Sequence, residues 1–154
     1  MEDKALLSTE EASGAEKAEL LIVIPAYNEA ENIERVVNHL TANFPQYDYV
    51  VVNDGSRDET AAICQRNGYN LLNLPVNLGL AGAFQAGLKY ADKYGYQYAV
   101  QLDGDGQHRP EYLESMIKKM EEGYDIVIGS RFVGEKKPFT MRMLGSNLIE
   151  MAIR

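Results

Sequence analysis

The segment Asp103-Gly-Asp105-Gly-Gln107-His108 concentrates the groups in this sequence that could do chemistry. Two carboxylates one residue apart, flanked by glycines, are costly to keep ionised at a buried strand end unless a cation compensates them. Oxygen donors of this kind suit Mg2+ or Mn2+, which commonly share their shell with substrate phosphates. A calcium loop is one rival, because Asp103, Asp105, Gln107 and Glu114 match positions 1, 3, 5 and 12 of an EF-hand. It fits poorly. His108 stands where that loop needs glycine, Pro110 follows, and a strand precedes instead of a helix. A solvated turn is the chemically silent alternative. His108 reads as a phosphate donor or a capping residue ahead of a metal ligand, since its neighbours favour a hard cation.

Asp54 follows the β-branched and aromatic segment YDYVVVN (47–53). A carboxylate there can accept hydrogen bonds from a base or ribose, or cap the next helix; both readings stand. Ser56 has capping-box spacing to Glu59, which leaves Asp54 available. Arg131, just past DIVI (125–128), could clamp a diphosphate through paired hydrogen bonds or sit in a surface ion pair. Pro25-Ala-Tyr-Asn-Glu29 is not a glycine fingerprint, which argues against a dinucleotide site. Gly79, Gly82 and Gly87 lack a following Lys-Ser/Thr, so they form no Walker loop and read as a turn and tight helix packing. Cys64 has no base at a telling spacing and reads as a small core residue. Tyr90, Tyr94, Tyr96 and Tyr98 read as packing at one helix–strand junction.

The elements that must position these groups alternate along the chain. Glu19 to Pro25 reads as a strand buried on both faces. Asn28 and Glu31 have capping-box spacing, and Ile33, Val36, Val37 and Leu40 give the following helix one apolar face. Tyr47–Asn53 is a second strand, and Gly68 closes the helix opened by Ser56. Tyr69–Leu74 and Tyr98–Leu102 are strands on either side of a helix at Ala81–Lys93, with Phe84, Leu88 and Ala91 on one side. Pro110–Glu121 is a helix and Asp125–Ile128 one more strand. This spacing predicts an α/β fold with a mostly parallel sheet covered by helices on both faces. Ligands then bind beyond the carboxyl ends of the strands. The segments 25–29, 53–56, 103–108 and 129–131 fall there, all polar, and should converge on one edge.

Composition narrows the function classes. The 154 residues are 45% hydrophobic and 25% charged, as expected of one globular domain, and a single cysteine excludes a disulfide scaffold and suggests a reducing compartment. The net charge of −8 argues against general nucleic-acid binding. Residues 1–18, with five acids against two bases and no aromatic residue, read as a disordered leader. Residues 129–154 carry five bases against two acids and could meet phosphate on a small ligand or a lipid headgroup. The longest apolar run, Leu20 to Pro25, is far short of the ~20 residues a membrane span requires.

Five segments together resemble the inverting family 2 glycosyltransferases of the GT-A fold, nearest the dolichyl- or polyprenyl-phosphate mannosyl/glucosyltransferase branch. They are IPAYNEAENI (24–33), VVNDGSRDET (51–60), NLGLAGAFQAGLKYA (77–91), QLDGDGQHRPEYL (101–113) and DIVIGSRF (125–132). The resemblance implies that Pro25, Ala26, Tyr27 and Glu29 line a nucleoside pocket, that Asp54 contacts base or ribose, and that Ser56 and Asp103 also belong to the substrate site. It makes Asp103-x-Asp105 the Asp-x-Asp motif, with Asp103, Asp105 and Gln107 as ligands to Mg2+ or Mn2+. Asp105 and Arg131 carry the catalytic roles. Asn53 stands where many members have Asp, a departure expected to tune nucleotide binding.

The implied activity is hexose transfer from a UDP- or GDP-linked sugar to a polyprenyl phosphate. It would take place in the cytoplasm or at the cytoplasmic face of a membrane. The expected organisation is a leader (1–18), a nucleotide-sugar-binding domain (19–132) and a basic amphipathic segment (133–154) leading into a missing acceptor region. Two other readings stay open: a family 2 enzyme directed at a glycan hydroxyl, and a non-catalytic nucleotide-sugar-binding module.

Overall fold

A computed structural model describes residues 19–104 and 110–129. Its order is β1 (Leu20–Ala26), α1 (Ile33–Asn43), β2 (Asp48–Asn53), α2 (Thr60–Arg66), β3 (Leu71–Asn73), α3 (Gly79–Lys93) and β4 (Tyr98–Gln101). A 3-10 turn (Pro110–Tyr112) and α4 (Leu113–Glu121) follow. The chain divides into two compact units, one ending at Glu111 and one beginning at Tyr112.

In the first unit the four strands pair in the order β3-β2-β1-β4, all parallel. β1 is buried along its whole length, which is why it reads as an unbroken apolar run. Leu21, Val23, Val50 and Val52 share one core cluster with Ala83 and Ala91 of α3. By strand alternation, Ile22, Ile24 and Val51 face the other side, and all three are fully buried. Right-handed crossovers place α1 and α2 together on that side. The buried Ile33, Val37 and Leu40 of α1 and Ile63 and Cys64 of α2 supply its apolar cover. The third crossover passes from β3 to β4 on the far side of β1. It therefore runs in the reverse direction and puts α3 on the opposite face.

Helix α3 packs differently from the expected Phe84–Leu88–Ala91 side. Its buried positions are Ala83, Gly87 and Ala91, and Leu88 is exposed. Small residues bring the helix backbone close to the sheet, and a Cβ at Gly87 would overlap Val23 Cγ1. The tight-packing reading of that glycine therefore holds. Cys64 is a buried core thiol whose pKa burial pushes up.

In the second unit, α4 carries the ion pairs Lys118–Glu114 (2.8 Å) and, just past its end, Lys119–Glu122 (2.7 Å). The strand expected at Asp125–Ile128 does not form. The segment has strand composition but pairs with no strand among the described residues, and Ile126 and Ile128 are 77% and 84% exposed. Composition sets a preference, whereas a strand needs a partner ladder. Among the described residues, no helix is long and apolar enough to cross a membrane.

Candidate functional site

The strand order reverses between β1 and β4, and in open parallel sheets the crevice beyond such a reversal is where ligands sit. The ladder continues a little past the strands there: Asp54 N–H donates to Ala26 O (2.9 Å) and Leu102 N–H to Val23 O (3.0 Å). A cavity of about 260 Å3 opens at this point. Pro25, Ala26, Tyr27, Glu29, Asp54 and Asp103 all line it, so six of the residues singled out from the sequence are brought together. Leu80 and Ala83 from α3 and Gly104 complete the wall. Sequence reasoning gave these three no role, although all lie in quoted segments. The return of α3 across the sheet brings Leu80 and Ala83 to β1, and Gly104 follows the end of β4.

Asp54 is buried but faces the cavity, and its Oδ1 accepts the Leu78 N–H at 2.7 Å. The carboxylate thus holds the entrance of α3, not that of the next helix, α2, while presenting itself to the cavity. Asn77 ties the same loop down, donating from Nδ2 to Asp54 O (3.1 Å) and accepting Gly79 N–H on Oδ1 (3.1 Å). Gly55 lies so near this loop that a Cβ would come within 2.7 Å of Asn77 N. Asp103 is fixed by Gln101, whose Nε2 donates to Oδ1 at 2.8 Å.

The two capping boxes expected from sequence are not built. Asn28 adopts φ 57, the left-handed region that asparagine tolerates, and lies outside α1. Its N–H donates to Ser56 Oγ (3.0 Å), and its Oδ1 accepts Arg57 N–H (2.8 Å). Ser56 is therefore spent on the neighbouring loop instead of α2, and it is not among the cavity-lining residues. Asp58 takes the capping role. Its Oδ1 accepts the Thr60 N–H (3.0 Å) and hydroxyl, and its Oδ2 accepts Ala30 N–H (3.0 Å). Burial pushes this carboxyl up, but the bonds from Thr60 and Ala30 together outweigh it and hold the pKa below the usual range. Glu29 N–H donates to Thr60 Oγ1 (2.9 Å), and Glu29 O accepts the N–H groups of Asn32 and Ile33, which starts α1. Asn53 is buried beneath the loop, donating to Asn73 Oδ1 and accepting Ser56 N–H, and does not line the cavity.

Three carboxylates (Glu29, Asp54 and Asp103) and no basic group occur among the described lining residues. The described donors are hard oxygens, the type Mg2+ and Mn2+ take, but no cluster of three potential metal ligands occurs among the described residues. Asp105, Gln107, His108 and Arg131 lie outside the described residues.

The family profile described as Glycosyl transferase family 2 matches residues 21–152. Polyprenol monophosphomannose synthase of Mycolicibacterium smegmatis is 34% identical over 73% of this chain and 45% of its own length. Undecaprenyl-phosphate mannosyltransferase of Micrococcus luteus is 34% identical over 74% of this chain and 49% of its own. A crystal structure of S. aureus TarS in complex with UDP-GlcNAc superposes with a TM-score of 0.53 and 26% identity, covering 79% of this chain and 37% of that one. The chain spans about half the length of the curated relatives it matches.

Proposed function

The chain belongs to glycosyl transferase family 2, and from that membership we propose that it is a metal-dependent, inverting hexosyltransferase. The donor is a nucleotide-diphospho-sugar, UDP- or GDP-linked, and the acceptor a polyprenyl phosphate. One observation carries the donor assignment: Pro25, Ala26, Tyr27, Glu29, Asp54 and Asp103 converge on one cavity at the β1/β4 reversal. The names of the mannosyltransferase relatives support the acceptor class.

In this reading Tyr27 and the Pro25–Ala26 backbone wall the nucleoside, and Asp54 takes a base or ribose donor on its carboxylate. Asp103, Asp105 and Gln107 would hold Mg2+ or Mn2+, and the ion would supply Lewis-acid stabilisation of diphosphate charge. Arg131 clamps phosphate oxygens through paired hydrogen bonds. The bond from the anomeric carbon to the diphosphate oxygen breaks as an acceptor oxygen bonds from the opposite face, with oxocarbenium character between. An ionised phosphate acceptor needs no general base. Residues 19–132 serve as the donor-binding domain, and the bases of residues 133–154 meet the acceptor's phosphate or anionic lipid.

The test is calorimetric titration of UDP and GDP, with and without Mn2+, into the wild-type chain and Asp105→Asn. Metal and nucleotide should each tighten the other by ~1–3 kcal/mol, the range of linked sites, and the variant should lose most of that coupling. A wild-type chain that binds neither nucleotide overturns the reading.

A further inference from the structure

We propose that Asp58 is a positioning residue for the donor cavity, holding the Asn28–Ala30 turn that sets Tyr27 and Glu29 in the cavity wall. The proposal rests on the donor-site reading above, and it gives a role to a side chain that is not among those lining the cavity.

The turn needs an external hold. Asn28 sits at φ 57, a conformation L-residues resist, between two cavity-lining residues. The turn's three successive N–H groups, from Asn28, Glu29 and Ala30, all donate to side chains between β2 and the first residue of α2: Ser56, Thr60 and Asp58. Successive N–H groups of this kind form a concavity suited to an anion. Here the protein satisfies them with two of its own hydroxyls and one carboxylate, so the turn is held without a ligand.

Asp58 controls two of the three bonds. It accepts Ala30 N–H directly on Oδ2. On Oδ1 it accepts the Thr60 hydroxyl proton. A hydroxyl has one proton and two lone pairs, so donating that proton to Asp58 fixes the rotor with a lone pair toward Glu29 N–H. Thr60 is fully buried, and no bulk water stands ready to replace that partner. Asparagine at position 58 would aim an NH2 group at one of these donors and break one arm of the clasp. Asp58 itself is exposed, so the substitution leaves the apolar core untouched.

The experiment combines Mn2+-supported titration of UDP and GDP with residue-resolved amide exchange, in wild type, D58N, Thr60→Val and Thr60→Ser. D58N and Thr60→Val should weaken the bound nucleotide by about tenfold, the scale of a lost charge-assisted hydrogen bond. Exchange should accelerate at Glu29 and Ala30 in D58N, and at Glu29 in Thr60→Val, with Val23 and Val51 unchanged. Thr60→Ser keeps the hydroxyl and should restore wild-type affinity and protection. Wild-type affinity in D58N, unaltered exchange at Glu29 and Ala30, or acceleration spread equally over the core strands overturns the proposal. A wild type that binds while D58N binds equally overturns this inference alone. A wild type that binds neither nucleotide overturns the donor-site reading and this one with it.

Discussion

After α2, Gly68 N–H reaches Gln65 O and Tyr69 N–H reaches Cys64 O; after α3, Gly95 and Tyr96 reach Asp92 and Ala91 in the same pattern. These two turns at the amino edge of the sheet thus close on the helices they end, within six residues, by backbone bonds around a glycine at positive φ. The carboxyl edge is finished in another way. There the loop after β1 is held by side chains of the loop after β2, and that loop's Asp54 holds the start of α3. Side chains link the amino-edge turns too, Tyr69 to Asn38 and Tyr96 to Asp48, but none of these residues lines the cavity. The interlocked loops of the carboxyl edge carry cavity-lining residues, so function should be most sensitive there.

The largest contrast comes from two glycines with nearly equal backbone angles, Gly55 at φ 65 and Gly68 at φ 66. Gly68 has open space around its missing Cβ, whereas Gly55 would drive one against the backbone of Val76 and Asn77, at 2.8 and 2.7 Å. Gly68→Ala should cost ~1–2 kcal/mol for the left-handed conformation alone. Gly55→Ala should cost about 3 kcal/mol or more, because overpacking against backbone adds to it. Urea denaturation of both variants measures the difference, and equal losses would break the comparison.

Next in size is Asp54→Ala. It removes a cavity carboxylate and the acceptor for Leu78 N–H, and should weaken nucleoside diphosphate binding by ~1–3 kcal/mol. Calorimetry decides it; unchanged affinity would return Asp54 to a purely structural hold on α3.

The smallest effect separates the edges by pH. Asp58 has a lowered pKa, so its share of stability is present above the ordinary carboxylate range and lost as pH falls below it. At the amino edge Tyr96 donates to Asp48 (2.8 Å), and burial first, then Asp48, raises its pKa. Its share is present below the ordinary tyrosine range and lost as pH rises through and beyond it. Acid should therefore loosen the carboxyl edge and alkali the amino edge. Melts of D58N and Tyr96→Phe against wild type check this, each variant expected to flatten only its own limb.

What the sequence determined by itself is what local chemistry encodes. The buried run of β1, the strand–helix alternation, the Gly68 stop and the core placement of Cys64 all depend on residues a few positions apart or on bulk polarity. The polar sets at strand ends were legible too, since a parallel sheet aligns all its carboxyl ends, and six of the chosen residues meet at one cavity. Tertiary structure alone decided which acceptor each donor takes. Asn28 and Ser56 have capping-box spacing within their own segments, yet they bond to each other across 28 residues, and Glu29 to Thr60 across 31. The sheet brings those loops within 3 Å, and a partner on a fixed neighbouring strand competes successfully with a local cap. Leu88 lost its expected burial because small residues let α3 approach on another side, and Asp125–Ile128 lacks a partner ladder among the described residues. Periodicity records what a segment prefers; its neighbours in space determine which preference is met.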